Sequence, residues 1–205
     1  MDLFAMNEEA RRETQAPLAW RMRPRSLDEL IGQEHITGPN SPLRKAIEKD
    51  QLFSFMLFGP PGTGKTSIAR IIARVSQTHF ESLPAVTSGV GDIRKIAADA
   101  RERQKYYQQA TILFVDEIHR FNKGQQDVLL PFVEDGTLIL IGATTENPLY
   151  ELNTALLSRL RLYVLEPLSR EALARILEQA LQDKVRGLGR LEVKMNEESL
   201  DAIIR

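Results

Sequence analysis

The sequence predicts an α/β fold in which a central parallel sheet is flanked by helices. Two observations carry this. First, three short apolar runs are continuous rather than alternating, as expected of strands covered on both faces. They lie in "FSFMLF" (Phe53–Phe58), "TILFVDEIHRF" (Thr111–Phe121) and "TLILIGATTENP" (Thr137–Pro148), and each turns polar or reaches glycine at its carboxyl end. Second, the first run passes through a glycine-rich loop into helical spacing at Ile68, Ile71, Ile72 and Val75.

Composition sets the frame for these elements. A chain of 205 residues with 42% hydrophobic and 27% charged residues can bury a sizeable core. Its length suits one large α/β domain, or one domain with a small second one. The formal net charge is −1, so any basic patch must be local. Cysteine is absent, which excludes disulfides, a zinc ribbon and a thiol nucleophile. The N-terminal "MDLFAMNEEARRETQ" has no apolar core of a signal peptide. No run approaches the roughly 18 apolar residues of a membrane span. The expectation is a cytoplasmic, nucleoid-associated protein with no membrane partner.

The loop after the first run reads Gly59-Pro60-Pro61-Gly62-Thr63-Gly64-Lys65-Thr66, followed by Ser67. This spacing is the phosphate-loop pattern of nucleoside triphosphatases. Glycines allow consecutive backbone N–H groups to turn inward around an anion. A helix starting near Lys65 adds its positive end. Lys65 reaches the β- and γ-phosphates, and Thr66 offers its hydroxyl to Mg²⁺. ATP and Mg²⁺ are the expected cofactors.

The second run ends in Asp116 and Glu117. An acid at a strand tip, some fifty residues after a phosphate loop, is placed to hold Mg²⁺ directly or through water. Its neighbour Glu117 points elsewhere and can orient an attacking water as a base. The three histidines, His35, His79 and His119, lack metal-ligand spacing, so His119 is assigned a structural or hydrogen-bonding role. The third run turns polar at Thr144, Thr145, Glu146 and Asn147. Ligands of parallel sheets bind beyond the carboxyl ends of strands, so the two threonines are candidates to touch the γ-phosphate or the water.

With "RMRPRSLDELIGQEHI" (Arg21–Ile36), "AVTSGVGDIR" (Ala85–Arg94), "FVDEIHRFNKGQQDVLLPFVEDG" (Phe114–Gly136) and "IGATTENPLYELNTALLSR" (Ile141–Arg159) added, the chain resembles the AAA+ ATPases. Within them it is similar to the clamp-loader-like branch, and there to the replication-associated recombination ATPases. The matches run from about Pro17 to Arg161. The resemblance implies further roles. Arg23, Pro24, Ile31 and Gly32 fall where relatives hold the adenine. The phosphate loop and the two acids become the Walker A and Walker B elements, and Thr145 matches sensor 1. Arg159 matches the arginine finger that reaches a neighbouring subunit's nucleotide, although a surface ion-pair arginine would read the same way. The implied function is a DNA-dependent ATPase of replication-fork maintenance, recombination and repair. Its implied partners are single-stranded, forked or gapped DNA, further copies of itself, single-stranded-DNA-binding protein and replisome components. One departure is Pro84, where relatives often carry a small polar residue. Clamp loaders use a polar residue near there to restrain the catalytic glutamate when DNA is absent, and Pro84 cannot couple Glu117 to DNA in that way. Thr87 is a possible substitute.

"GVGDIRKIAADARERQKYY" predicts an amphipathic helix with Ile93, Ile96, Ala97 and Ala100 inward. Arg94, Arg101 and Lys105 share a neighbouring face. Arg94 and Lys95, with Lys123, are the preferred DNA contacts, against the alternative of an ordinary solvated face. Residues 1–16 are expected to be disordered, 17–166 to form the ATPase core and 167–205 to begin a helical lid. The lid stops before the sensor-2 arginine that the resemblance implies, so 1–205 alone is expected to be weakly active. Other functions compete. A branch-migration motor would carry a long hairpin between the acids and sensor 1. A bacterial clamp-loader subunit would carry a cysteine zinc module. A non-catalytic nucleotide-binding module would not need Lys65, Thr66, Asp116 and Glu117 together.

Overall fold

In the computed structural model, residues 16–193 and 195–204 are described. Apart from Ala16, the segment expected to be disordered lies outside them. The chain divides into two compact units, Gln33–Pro167 and a terminal unit that joins the residues up to Gly32 with those from Leu168 onward.

The larger unit is built on a five-stranded, all-parallel sheet: β1 (Phe55–Phe58), β2 (His79–Pro84), β3 (Thr111–Asp116), β4 (Ile139–Thr144) and β5 (Arg161–Val164). The spatial order is β2-β3-β4-β1-β5. The three central strands are those predicted from continuous apolar runs. β3 is buried from Thr111 to Val115, and β4 from Leu140 to Thr144. The first run is shortened at its start. Ser54 Oγ accepts from the Leu140 N–H at 2.9 Å in place of a ladder bond, and Phe53 lies outside the strand with Arg161 over its ring at 3.9 Å.

Helices of this unit flank the sheet. They include α2 (Glu34–Thr37), α3 (Pro42–Glu48), α4 (Lys65–Val75), α5 (Val90–Tyr107), a 3₁₀ turn (Ile118–Arg120), α6 (Lys123–Glu134), α7 (Pro148–Glu151) and α8 (Thr154–Leu157). The predicted inward stripe of α5 is buried at Ile93, Ala97 and Ala100, with Ile96 packed against the same core. Asp92 caps α5 by accepting from the Gly89 N–H at 2.8 Å. In α6 the Asn122 and Gln125 side chains bond each other's backbone reciprocally, at 2.9 and 2.8 Å. Such an arrangement satisfies two of the donors that a helix start leaves open. Gln33 closes the far end of the unit. Its amide donates to Glu166 O at 2.7 Å and its carbonyl accepts from the Glu166 N–H at 3.0 Å.

The terminal unit holds α1 (Leu18–Arg21), α9 (Arg170–Gln182) and α10 (Glu197–Ile204). Arg186 fastens it by donating to Asp183 and Glu29, each at 2.9 Å. Backbone N–H groups of Arg186 and Val185, with the Arg186 guanidinium, pull the Asp183 carboxyl down to about 2. No helix among the described residues is long and apolar enough to cross a membrane.

Candidate active site

Three strand ends build the site. Chain leaves β1 into the loop 59–64, β3 ends at Asp116, and β4 ends at Thr144 with Thr145 just beyond. In the sheet order β3-β4-β1 these ends are consecutive, so phosphate loop, acids and threonines share one edge.

The glycines of the loop serve two purposes. Gly64 has φ 95°, a left-handed conformation that a side chain would strain, and α4 starts directly after it. Gly59 instead answers a packing demand. A Cβ there would sit 2.6 Å from Leu165 O and 2.9 Å from Leu165 Cβ, at the end of β5. Among the described residues, the N–H groups of Gly62, Thr63, Gly64, Lys65 and Thr66 donate to no acceptor in the chain. Unpaired donors of this kind normally carry a free-energy cost, and a run of five at the start of an eleven-residue helix is a cradle for an anion. A triphosphate fits it.

Lys65 closes the loop. Its Nζ donates to Gly59 O at 2.7 Å and to Pro60 O at 2.8 Å, while Thr63 Oγ1 donates to Pro60 O at 2.9 Å. Burial lowers the Lys65 ammonium below its ordinary value, and the charges of Glu117 and Asp116 oppose that shift. Burial likewise raises the Asp116 carboxyl. The Glu117 charge adds to it, while the Glu117 N–H and Lys65 oppose it. Both carboxylates and the lysine therefore act on one another. No group of three or more metal-ligating side chains occurs among the described residues. Mg²⁺ is commonly held by one or two protein oxygens together with phosphates and water. Thr66 and Asp116 would supply those two oxygens.

The direction of the Asp116 shift makes a prediction. A carboxyl raised in the folded state binds its proton more tightly folded than unfolded. Its penalty is absent below the ordinary carboxylate value and is complete once pH has passed the raised one. Asp116→Asn removes the penalty and keeps the oxygen that accepts from the Glu117 N–H at 3.2 Å. In Mg²⁺-free buffer at pH 7 this variant should melt higher than wild type, by ~2–4 °C for each kcal/mol relieved. The gap should close as pH falls through that window. Melting curves across pH check this, and an unchanged or lower melting temperature would contradict it.

Glu117 has a left-handed backbone, φ 51°, uncommon for a residue with a side chain and often found where function imposes strain. Its Oε2 accepts from Thr145 Oγ1 at 3.4 Å. The candidate base and the candidate sensor-1 threonine are therefore together. In keeping with a structural or hydrogen-bonding role, His119 Nδ1 lies 2.9 Å from Thr144 Oγ1. Nothing in residue spacing shows that this nitrogen is also 3.3 Å from Glu117 Oε2.

The family is now decidable. The model of the ATPase family associated with various cellular activities, AAA, matches residues 55–168. The chain belongs to the AAA family of ATPases. It is 52% identical over 187 residues to replication-associated recombination protein A of Escherichia coli K12, covering 91% of this chain and 42% of that protein. It is 48% identical over 167 residues to the ATPase WRNIP1 of Dictyostelium discoideum, covering 82% of this chain and 19% of that protein. The chain thus spans well under half the length of these curated relatives. Among solved structures it is similar to the RuvB Holliday junction branch migration motor of Thermotoga maritima, with TM-score 0.71 and 30% identity over 90% of this chain and 59% of that one.

The remaining predicted site residues of this AAA chain fall in several places. Arg159 is 39% exposed and forms an ion pair with Glu134 at the end of α6. Its Nη1 donates to Ala155 O at 2.6 Å and Ser158 Oγ at 3.1 Å. Arg23, Pro24, Ile31 and Gly32 belong to the terminal unit. There Gly32 has φ 82°, and a Cβ on it would meet Leu168 Cδ2 at 2.6 Å. Arg94, Lys95 and Lys123 are exposed and form no ion pair among the described residues. Arg101 is committed elsewhere, to Asp135 at 2.9 Å, and Lys105 lies 5.2 Å from the centre of the Tyr106 ring.

Proposed function

We propose that this chain is the ATP-hydrolysing module of a DNA-dependent AAA assembly acting in replication-fork maintenance, recombination and repair. The observation that carries the chemistry is the run of five open N–H donors on the same sheet edge as Asp116, Glu117 and Thr145. The cradle holds the triphosphate of ATP, and Thr66 and Asp116 hold its Mg²⁺. Glu117 takes the proton of the attacking water, Thr145 orients that water, and Arg23, Pro24, Ile31 and Gly32 receive the adenine. Arg159 completes the site of an adjoining subunit. The names of the relatives support the replication and recombination setting. Its partners would include single-stranded-DNA-binding protein and replisome components.

DNA binding is assigned to Arg94 and Lys95 on the first turns of α5 and Lys123 at the start of α6. The two helix starts are tied together, because Gln125 Nε2 donates to Ser88 O at 2.7 Å. Three unpaired cations on adjoining elements can neutralise backbone phosphates. The test is ATP turnover by the full-length protein with and without single-stranded, duplex-end and gapped DNA, beside a binding titration over salt. DNA should stimulate turnover. Arg94→Ala combined with Lys95→Ala should weaken binding and lower the log–log salt slope by about 2, close to one per lost phosphate contact. An unchanged slope would place the DNA elsewhere.

The likeness to RuvB favours a second reading as a branch-migration motor. Between Glu117 and β4, however, the chain forms one 3₁₀ turn and one helix, with no strand hairpin. Unwinding of four-way junctions in preference to forks and gaps would support that reading over the first.

A further inference from the structure

Pro84 stands opposite Asp116 in the β2–β3 register and has no side-chain donor to offer the neighbouring glutamate. Two other side chains lie beside Glu117. Thr145 Oγ1 reaches Oε2 at 3.4 Å, and His119 Nδ1 lies 3.3 Å from the same oxygen. The His119 side chain is only 10% exposed, so it is held by the protein rather than by solvent.

Thr144 fixes which ring nitrogen carries the proton. Its hydroxyl donates to Glu146 O at 3.2 Å and accepts from the Glu146 N–H at 3.0 Å. A hydroxyl has one proton and two acceptor positions. With its proton committed to Glu146 O, Thr144 is left to accept from His119 at 2.9 Å. His119 therefore carries a proton on Nδ1. That N–H is directed to the Thr144 hydroxyl at the end of β4, and the nitrogen lies 3.3 Å from the Glu117 carboxylate at the end of β3.

We infer that His119 is a positioning residue for hydrolysis, fixing Glu117 Oε2 against the end of β4 so that Oε1 is the oxygen presented to water. The inference rests on the reading of Glu117 as the base. Thr145 donates to this carboxylate oxygen, and the His119 ring lies against the same oxygen at 3.3 Å. The rotation that would otherwise interchange the two oxygens is restrained, and the carboxylate meets water in one orientation. Such restraint raises the rate of proton removal without touching the nucleotide.

The test uses the full-length protein and three substitutions. His119→Asn places an amide nitrogen near the position of Nδ1, His119→Gln places it near Nε2, and His119→Ala removes both. His119→Ala should lower kcat by roughly 10–100-fold, the range that outer-shell partners reach elsewhere. KM and the affinity for labelled ATP should stay at wild-type values. His119→Asn should recover most of the loss, and His119→Gln little of it. In a Glu117→Gln background, His119→Ala should add no further loss, since both changes act through one carboxylate. Wild-type kcat in His119→Ala, an equal loss in both backgrounds, or equal recovery by Asn and Gln would overturn the inference. A rise in kcat would also overturn it, because His119 would then restrain the base. Should His119→Ala fail to fold, the Asn and Gln variants carry the same contrast. Failure of the underlying reading shows separately, as normal turnover by Glu117→Gln alone.

Discussion

Arg159→Ala is expected to lower ATP turnover of the assembled protein by roughly 10³–10⁵-fold, the range measured for arginine fingers supplied in trans. Charge spreads over the oxygens of the transferring phosphoryl group, and a guanidinium can answer it with paired N–H donors. The contacts of Arg159 in its own subunit are Glu134, Ala155 O and Ser158 Oγ, all away from the phosphate loop. The side chain is also 39% exposed, so an adjoining copy could reach it if it left these partners. ATP binding should survive, because the cradle is built entirely from residues 59–67. Light scattering must show that the variant still assembles. Near-normal turnover by an assembled Arg159→Ala protein would leave Arg159 as an ordinary surface ion-pair residue.

Glu117→Gln is expected to bind Mg²⁺-ATP as wild type does and to hydrolyse it roughly 10²–10⁴-fold more slowly, the share a positioned base contributes. Glutamine keeps the size of the side chain and an oxygen to accept from Thr145, but it cannot take a proton. The open N–H groups and Lys65 lie on a separate loop and keep their geometry. Equilibrium titration of labelled ATP beside phosphate release in one preparation separates binding from chemistry. Normal release would exclude Glu117 as the base.

The sequence made the central strands legible because burial on both faces leaves a continuous apolar run, as in β3 and β4. The edge strands lack that signal. β2 reads "HFESLP" and buries only Leu83, with Glu81 paired to Arg103 at 3.0 Å. β5 reads "RLYV" and remains largely exposed. The phosphate loop was legible because its chemistry is local, a backbone conformation that glycine spacing encodes. Even there Gly59 proved to answer a close approach by Leu165, over a hundred residues away in sequence. The His119 contacts were illegible for the same reason. They depend on where a 3₁₀ turn after β3 meets the end of β4, which no spacing encodes. Among the basic residues of α5, helical periodicity placed Arg94, Arg101 and Lys105 on one face. It gave no sign that Asp135, on the loop after α6, would take Arg101.

The measurement that bears most directly on hydrolysis between subunits mixes two inactive proteins. Lys65→Ala subunits lack a working nucleotide site but keep Arg159. Arg159→Ala subunits keep the site but lack the finger. Each variant, prepared separately and shown to assemble, should turn over ATP at a small fraction of the wild-type rate. Mixed and allowed to exchange subunits, they should regain turnover, because some junctions then pair an intact site with an intact Arg159. If the mixture stayed as inactive as its components while mixed assemblies formed, Arg159 would not act across the subunit boundary.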